Sequence, residues 1–347
     1  MISRRGFLRA SAHGLAWLGL AGGAGALAGG CAHGSQTGLA AAGSQAAPTA
    51  GGKAGPATAR GETTVTILHT NDVHSRIDPF PAGSGRNAGR AGAVPRAGLI
   101  EGIWEELANQ GQPRPLLVDA GDVFQGTPYF NLWKGELDFK VMSRLGYDVM
   151  TIGNHDFDAG LERLYEVAEA YAKFDIVNAN YDFHDGPMQQ RVRPYVIREV
   201  ESAGGADAPV KVGILGLGVV LQGLVSENLR PGVSYGDPVA AARTWSRHLR
   251  REERCDLIVL LSHLGDEGYD GQPGDQHLAR EIDEIDLIVG GHSHTFMQAP
   301  TRVPHEKRET LVHQVGFAGI NLGRAEFVLK DGRIQSADAR SIPVQTS

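Results

Sequence analysis

Five short clusters in this chain carry side chains that bind cations or move protons. They are Asn71-Asp72-Val73-His74, Asp119-Ala120-Gly121-Asp122, Gly153-Asn154-His155-Asp156, Ser262-His263 and Gly290-Gly291-His292-Ser293-His294. Asp72 and His74 stand two apart, so at an extended loop end they point to one side and grip one cation. Asp122 has two carboxylate oxygens and can bridge a pair of cations. Asn154 offers a neutral carbonyl oxygen, which limits the negative charge so that a phosphate can still approach. His263, His292 and His294 supply imidazoles, suited to Zn, Mn or Fe rather than Mg or Ca. Two such ions about 3.5–4 Å apart clamp a phosphoryl oxygen and generate hydroxide from water at neutral pH. His155 follows Asn154 directly, which places both against the substrate and aims His155 away from the cations. Its expected task is to protonate the leaving oxygen or stabilise equatorial charge, with Asp156 holding its tautomer. A helix or turn cap is the competing reading of Asp156.

Each cluster follows a short β-branched or aliphatic run, at 65–68, 116–118, 149–152, 257–261 and 287–289, with further runs at 212–217 and 311–315. Between them lie helical patterns over 97–109, 137–145, 161–172, 238–253 and 276–282. Apolar runs this short, separated by helices, predict an α/β sheet buried on both faces. Ligands of open α/β sheets collect at the carboxyl ends of strands. Five strands here deliver His, Asp or Asn to that edge.

Composition narrows the class. A chain of 347 residues is too long for a disulfide-stapled miniprotein and ample for one large α/β domain. The net charge of −7, with no basic block, argues against a nucleic-acid polymer as partner. Two cysteines form neither a disulfide framework nor a Cys-rich zinc site, and thirteen histidines tilt any metal site toward His and carboxylate ligands.

Residues 1–61 read as address and tether. Ser3-Arg4-Arg5-Gly6-Phe7-Leu8-Arg9 has the form of a twin-arginine export motif, and the glycine-laden stretch to residue 30 suits the apolar region of a cleaved signal. Leu27-Ala28-Gly29-Gly30-Cys31 resembles a lipobox, with Ala28 where Leu is usual; Ala26-Leu27-Ala28 would serve an ordinary signal peptidase instead. The lipoprotein reading is favoured, because residues 31–61 are an Ala/Gly/Ser/Pro-rich linker, too poor in large apolar groups to pack. The expected organisation is a signal peptide over 1–30, a linker over 31–61 and a catalytic domain over 62–347. The expected location is the periplasm or cell envelope, with membrane contact only through a lipid on Cys31.

Taken together, Asp72-x-His74, Gly121-Asp122, Gly153-Asn154-His155-Asp156, His263 and Gly291-His292-Ser293-His294 resemble the calcineurin-like metallophosphoesterases. The flanking stretches 67–74, 119–127 and 153–158 are similar to the 5′-nucleotidase / UDP-sugar hydrolase / 2′,3′-cyclic phosphodiesterase branch. The resemblance spans roughly residues 64–334 and implies a four-layer αββα sandwich of two mixed sheets. It also implies that Asp72, His74, Asp122 and His294 hold one divalent ion, and Asp122, Asn154, His263 and His292 a second. His155 and Asp156 would be the catalytic pair, and a nucleotide phosphoester the substrate. His294 stands where some relatives place Gln, which alters metal preference.

Family 5′-nucleotidases add a C-terminal domain whose aromatic residues stack the base; with a strand at 325–329 and the Asp331-Gly332 turn so near Ser347, that domain is expected to be absent here. Either a separately encoded nucleotidase domain completes the pocket, or loops of this domain hold the substrate alone, with cyclic-phosphodiester or broad specificity. A thiosulfohydrolase-type hydrolase is a further alternative. A non-catalytic, lipid-tethered binding protein is the reading from another class; the completeness of the ligand set argues against it. Arg76, Arg86, Arg90 and Arg96 either reach a phosphate or are solvated charge, and Asn87 with Gly89 offers an anion nest. His69 is read as a core residue or a support behind the ligands, His313 as structural, and Cys255 as a buried small hydrophobe.

Overall fold

A computed structural model describes residues 62–184, 186–201 and 208–346. The export motif, Cys31 and the linker lie outside the described residues. The first sheet grows from β1 (Glu62–Thr70), β2 (Leu116–Asp119), β3 (Val149–Thr151) and β4 (Asp175–Val177), parallel neighbours in that order. β5 (Tyr181–Asp182) leaves the sheet and β6 (Val192–Arg193) rejoins it beside β4. β7 (Tyr195–Val200) and β8 (Val210–Gly218) open the second sheet, while β9 (Ser234–Tyr235) pairs with β5 in a small ribbon. β10 (Leu257–His263), β11 (Leu287–Gly290), β12 (Thr301–Pro304) and β13 (Glu309–His313) complete the order β12-β13-β11-β10-β8-β7. β14 (Asn321–Lys330) then returns antiparallel to β1 and turns through Asp331-Gly332 into β15 (Arg333–Pro343). Both turn residues have positive φ, 51° and 71°, the hand a two-residue hairpin needs.

Side chains alternate across each strand, so every apolar run has two faces to bury. Ile67, Val118, Ile214, Val259 and Val289 fill the space between the sheets. Their neighbours Leu68, Leu117 and Met150 face outward, against α1 (Ala93–Asn109), α2 (Pro128–Trp133), α3 (Glu136–Leu145), α4 (Leu161–Tyr171) and α5 (Pro187–Arg191), which contribute Ile103, Phe130, Phe139, Leu164 and Met188. On the second sheet, Leu215, Leu260 and Ile288 meet Leu249 and Leu278 of α6 (Pro238–Arg251) and α7 (Asp275–Glu281). The layers are therefore helix, sheet, sheet, helix, as the resemblance implied. Local chemistry fixes element ends too: Asp237 caps α6 by accepting from the amides of Val239 and Ala240, and Pro238 fills the first helical position. Among the described residues no helix is long and apolar enough to cross a membrane.

Candidate metal centre

The loops that follow β1, β2, β3 and β11, together with the last residue of β10, converge on one edge where the two sheets meet. Backbone bonds lace the loops together: the amide of Asp72 donates to Gly121 O (2.9 Å) and that of His74 to Asp122 O (3.1 Å). Asp72, His74, Asp122, His292 and His294 all have positive φ, between 49° and 69°. Left-handed backbone at non-glycine residues costs on the order of 1–3 kcal/mol each and persists where the surroundings over-determine it. The motif glycines make room for this crowding. A Cβ on Gly291 would lie 2.8 Å from Nδ1 of His263 and 3.2 Å from Oδ2 of Asp72.

Two groups of candidate ligands stand out among the described residues: Asp72 with His74 and His294, and Asp122 with His263 and His292. In each, the ligand atoms lie within 4.8 Å of one another. His294 Nε2 is 3.2 Å from Oδ1 of Asp72, and His263 Nε2 is 3.1 Å from Oδ2 of Asp122. Second partners orient the rings. Nδ1 of His263 lies 2.7 Å from Ala120 O, and Nδ1 of His74 lies 3.2 Å from Phe124 O. With those nitrogens donating, both Nε2 lone pairs face inward. Nε2 of His74 and of His294 lie only 3.1 Å apart, and the buried Oδ1 of Asn154 has no hydrogen-bond partner. Converging lone pairs and an orphan carbonyl oxygen fit a divalent cation and fit little else.

Burial and the opposed charges shift the acid–base behaviour of these groups strongly. Burial acts to raise the Asp122 carboxyl, yet His263 outweighs it and holds Asp122 below the usual carboxylate range. Burial acts to lower His263, but the Asp122 carboxylate outweighs it and raises the imidazole to about 10. Burial, reinforced by His263, pushes His292 down to about 4, so that imidazole is a neutral donor at physiological pH.

His155 lies beside the ligands, its ring centroid 5.3 Å from that of His74. The expectation that Asp156 holds its tautomer is corrected by the geometry. Asp156 is fully buried and accepts four backbone amides, from Asp122, Val123, Phe124 and Gly153, at 2.8–3.2 Å. It ties the second motif loop to the third. The carboxylate on His155 Nδ1 is instead Asp158, at 2.8 Å and three residues on in the same short turn. Its hydrogen bond raises the His155 pKa, against the opposing effect of burial. The 153–158 stretch contained that signal, since a spacing of three brings side chains together in a helical turn.

Two more positioning residues escaped the sequence reading. Asn71 donates to Oδ2 of Asp72 (2.7 Å) and to Gly316 O (2.6 Å), and its Oδ1 accepts from the amide of Val315 (3.0 Å). The buried Gln314 staples the 291–295 loop: Nε2 donates to Gly291 O (2.9 Å), while Oε1 accepts from Ser293 Oγ (3.2 Å) and from the Thr295 amide. Three of the four arginines named between the first two motifs are engaged elsewhere. Arg76 lies over the Phe80 ring, Arg90 donates to Asn321, and Arg96 is buried 2% exposed near Asp119 and Asp138. The amides of Asn87 and Gly89 bond Ser84 O and Phe80 O, which leaves no anion nest there. His69 and His313 form a buried pair, Nε2 to Nδ1 at 2.9 Å. Burial pushes the Cys255 thiol up to about 11, consistent with an inert core side chain.

A two-sheet sandwich with two carboxylate–imidazole groups on one edge presents a candidate metal centre at the seam of the sheets. The calcineurin-like phosphoesterase family model matches residues 65–296, and the chain belongs to that family. A 5′-nucleotidase of Vibrio cholerae is 32% identical over 81% of this chain and 51% of its own length. The solved structure of a 5′-nucleotidase precursor from Thermus thermophilus superposes with TM-score 0.67 and 30% identity, over 81% of this chain and 55% of that one. The calcineurin-like phosphoesterase YfkN of Bacillus subtilis superposes with TM-score 0.64 and 26% identity, over 82% of this chain and 91% of that one. The chain thus spans about half the length of the Vibrio relatives it matches.

Proposed function

We propose that the chain hydrolyses the phosphoester of a nucleotide at a centre of two divalent ions, releasing inorganic phosphate. The observation that carries this reading is the placement of the His155–Asp158 pair beside two ligand groups on one edge. Asp72, His74 and His294 would hold one ion, His263 and His292 the other, with Asp122 shared and Asn154 completing the second. Ions held there supply Lewis acidity toward a phosphoryl oxygen and a nucleophile from water at neutral pH. His155 gives its proton to the leaving ester oxygen as the P–O bond breaks, and Asp158 keeps the proton on the ring until then. The neutral Asn154 and the neutral His292 keep the centre from accumulating negative charge that would repel the phosphate.

The location follows from the first 61 residues: export by the twin-arginine route and a lipid on Cys31. Replacing Cys31 by Ala should move the protein from the membrane to the soluble envelope fraction; a variant still found with membrane ends the lipid reading.

The decisive experiment takes the full chain, loaded with Mn²⁺ or Zn²⁺, and follows phosphate release from AMP, ring opening of 2′,3′-cyclic AMP to the monophosphate, and p-nitrophenolate release from bis(p-nitrophenyl) phosphate. An EDTA control and Asp122→Ala run beside it. Metal-dependent turnover of AMP supports the nucleotidase reading. Turnover of the activated diester alone moves substrate recognition to a partner domain. No metal-dependent turnover of any of the three overturns both.

A further inference from the structure

We infer that Tyr269 and Phe296 form a stacking rim for the flat, uncharged group carried by the phosphoester, so that this domain itself reads a nucleobase; the inference rests on the phosphohydrolase reading above. Few large apolar side chains are exposed on the described surface, and these two are 37% and 45% exposed. Both border the ligand cluster. Tyr269 meets the ring of His292 edge-on at 5.2 Å. Phe296 meets Phe317 edge-on at 6.0 Å, and Phe317 stacks on His294 at 5.1 Å with 15° between the planes. One exposed ring thus meets the candidate ligand His292 directly, and the other reaches His294 through Phe317, so both stand at the border of the ligand cluster.

The rings are held, not loose. Phe296 pairs its backbone with Val315, and its ring rests on Gly316, where a Cβ would come within 2.2 Å. The Tyr269 loop is pinned to the metal loop by the Asp266 amide, which donates to Ser293 Oγ at 3.0 Å. A rim set in advance loses little freedom when a planar ligand stacks on it.

Charge narrows the ligand class. The segment 264–274 carries Asp266, Glu267 and Asp270 and no cation, and 290–300 carries no Lys or Arg. Such a rim repels a second phosphate and favours a neutral heterocycle bearing amino donors. Nucleoside monophosphates therefore fit it better than nucleoside diphosphates or nucleotide sugars.

The test compares AMP, ADP and glycerol 2-phosphate as substrates of the Mn²⁺-loaded full chain, in the wild type, Tyr269→Leu and Phe296→Leu, with adenosine binding followed by titration calorimetry. Base stacking on one aromatic ring is worth about tenfold. Each leucine variant should cut the preference for AMP over glycerol 2-phosphate about tenfold, through KM, and weaken adenosine binding by the same factor at unchanged metal content. Tyr269→Phe should restore it. An unchanged preference, or an equal loss on glycerol 2-phosphate, overturns the rim. If the wild type cleaves no substrate, the phosphohydrolase reading fails, and adenosine binding still decides: loss in the variants supports the rim. No adenosine binding by the wild type overturns it.

Discussion

A methyl group added to Gly153 would lie 2.2 Å from Oδ1 of Asp122, the oxygen that also accepts the His155 amide at 2.7 Å. The third motif is therefore glycine at this point because a carboxylate of the second motif occupies the space. Gly153→Ala should push that carboxylate off the ligand cluster. A displacement near 1 Å costs roughly a hundredfold in rate. We expect kcat/KM to fall by about that factor, with metal content reduced and the circular dichroism spectrum retained. Wild-type turnover in the variant would mean that the loop yields without cost.

Asp158 and Asp156 should separate cleanly. Asp158 raises the His155 pKa, so Asp158→Asn lowers it, and the acid form is lost at lower pH. The alkaline limb of the pH–rate profile should move to lower pH, with kcat reduced about 10–100-fold. Asp156→Asn keeps one acceptor oxygen for four amides and should cost about 2–4 kcal/mol of stability, seen as a lower Tm. If Asp156→Asn moved the pH limb and Asp158→Asn did not, the assignment would be reversed.

His155→Ala should lower kcat by about 10²–10⁴ while metal content stays near that of the wild type. Elemental analysis of the purified variant checks this. A fall in bound metal would place His155 among the ligands.

Gln314→Leu preserves volume and removes the staple on the 291–295 loop. Metal affinity should fall about 10–100-fold, measured by competition with a chromophoric chelator, because residues that orient ligands carry that much. Unaltered affinity would show that His292 and His294 are placed by other contacts.

The central strands were legible because their apolar runs are buried on both faces, and the five clusters because each sits directly after such a run. The edges were not: β7 reads Tyr-Val-Ile-Arg-Glu-Val, half polar, and β15 is largely exposed, so neither shows a continuous apolar run. In the site, residue type announced the ligands, since imidazoles and carboxylates at strand ends have few other uses. The carboxylate on His155 was misassigned because adjacency in sequence was taken for adjacency in space. In a helical turn Asp156 points away, while Asp158 comes round to the ring. Asn71 and Gln314 were invisible as positioning groups, because amide side chains declare a role only once their partners are known.

Each candidate ligand group straddles the seam of the sandwich: Asp72 and His74 follow the first sheet and His294 the second, while Asp122 follows the first and His263 and His292 belong to the second. A bound ion would therefore act as a rivet between halves of the chain more than a hundred residues apart, closing long loops that the unfolded chain would leave open. The same contacts that prepare the chemistry would then set how long the folded molecule resists proteolysis. Chelation should shorten the lifetime of the folded protein, and starving the cells of metal should clear it by proteolysis rather than leave a pool of idle protein.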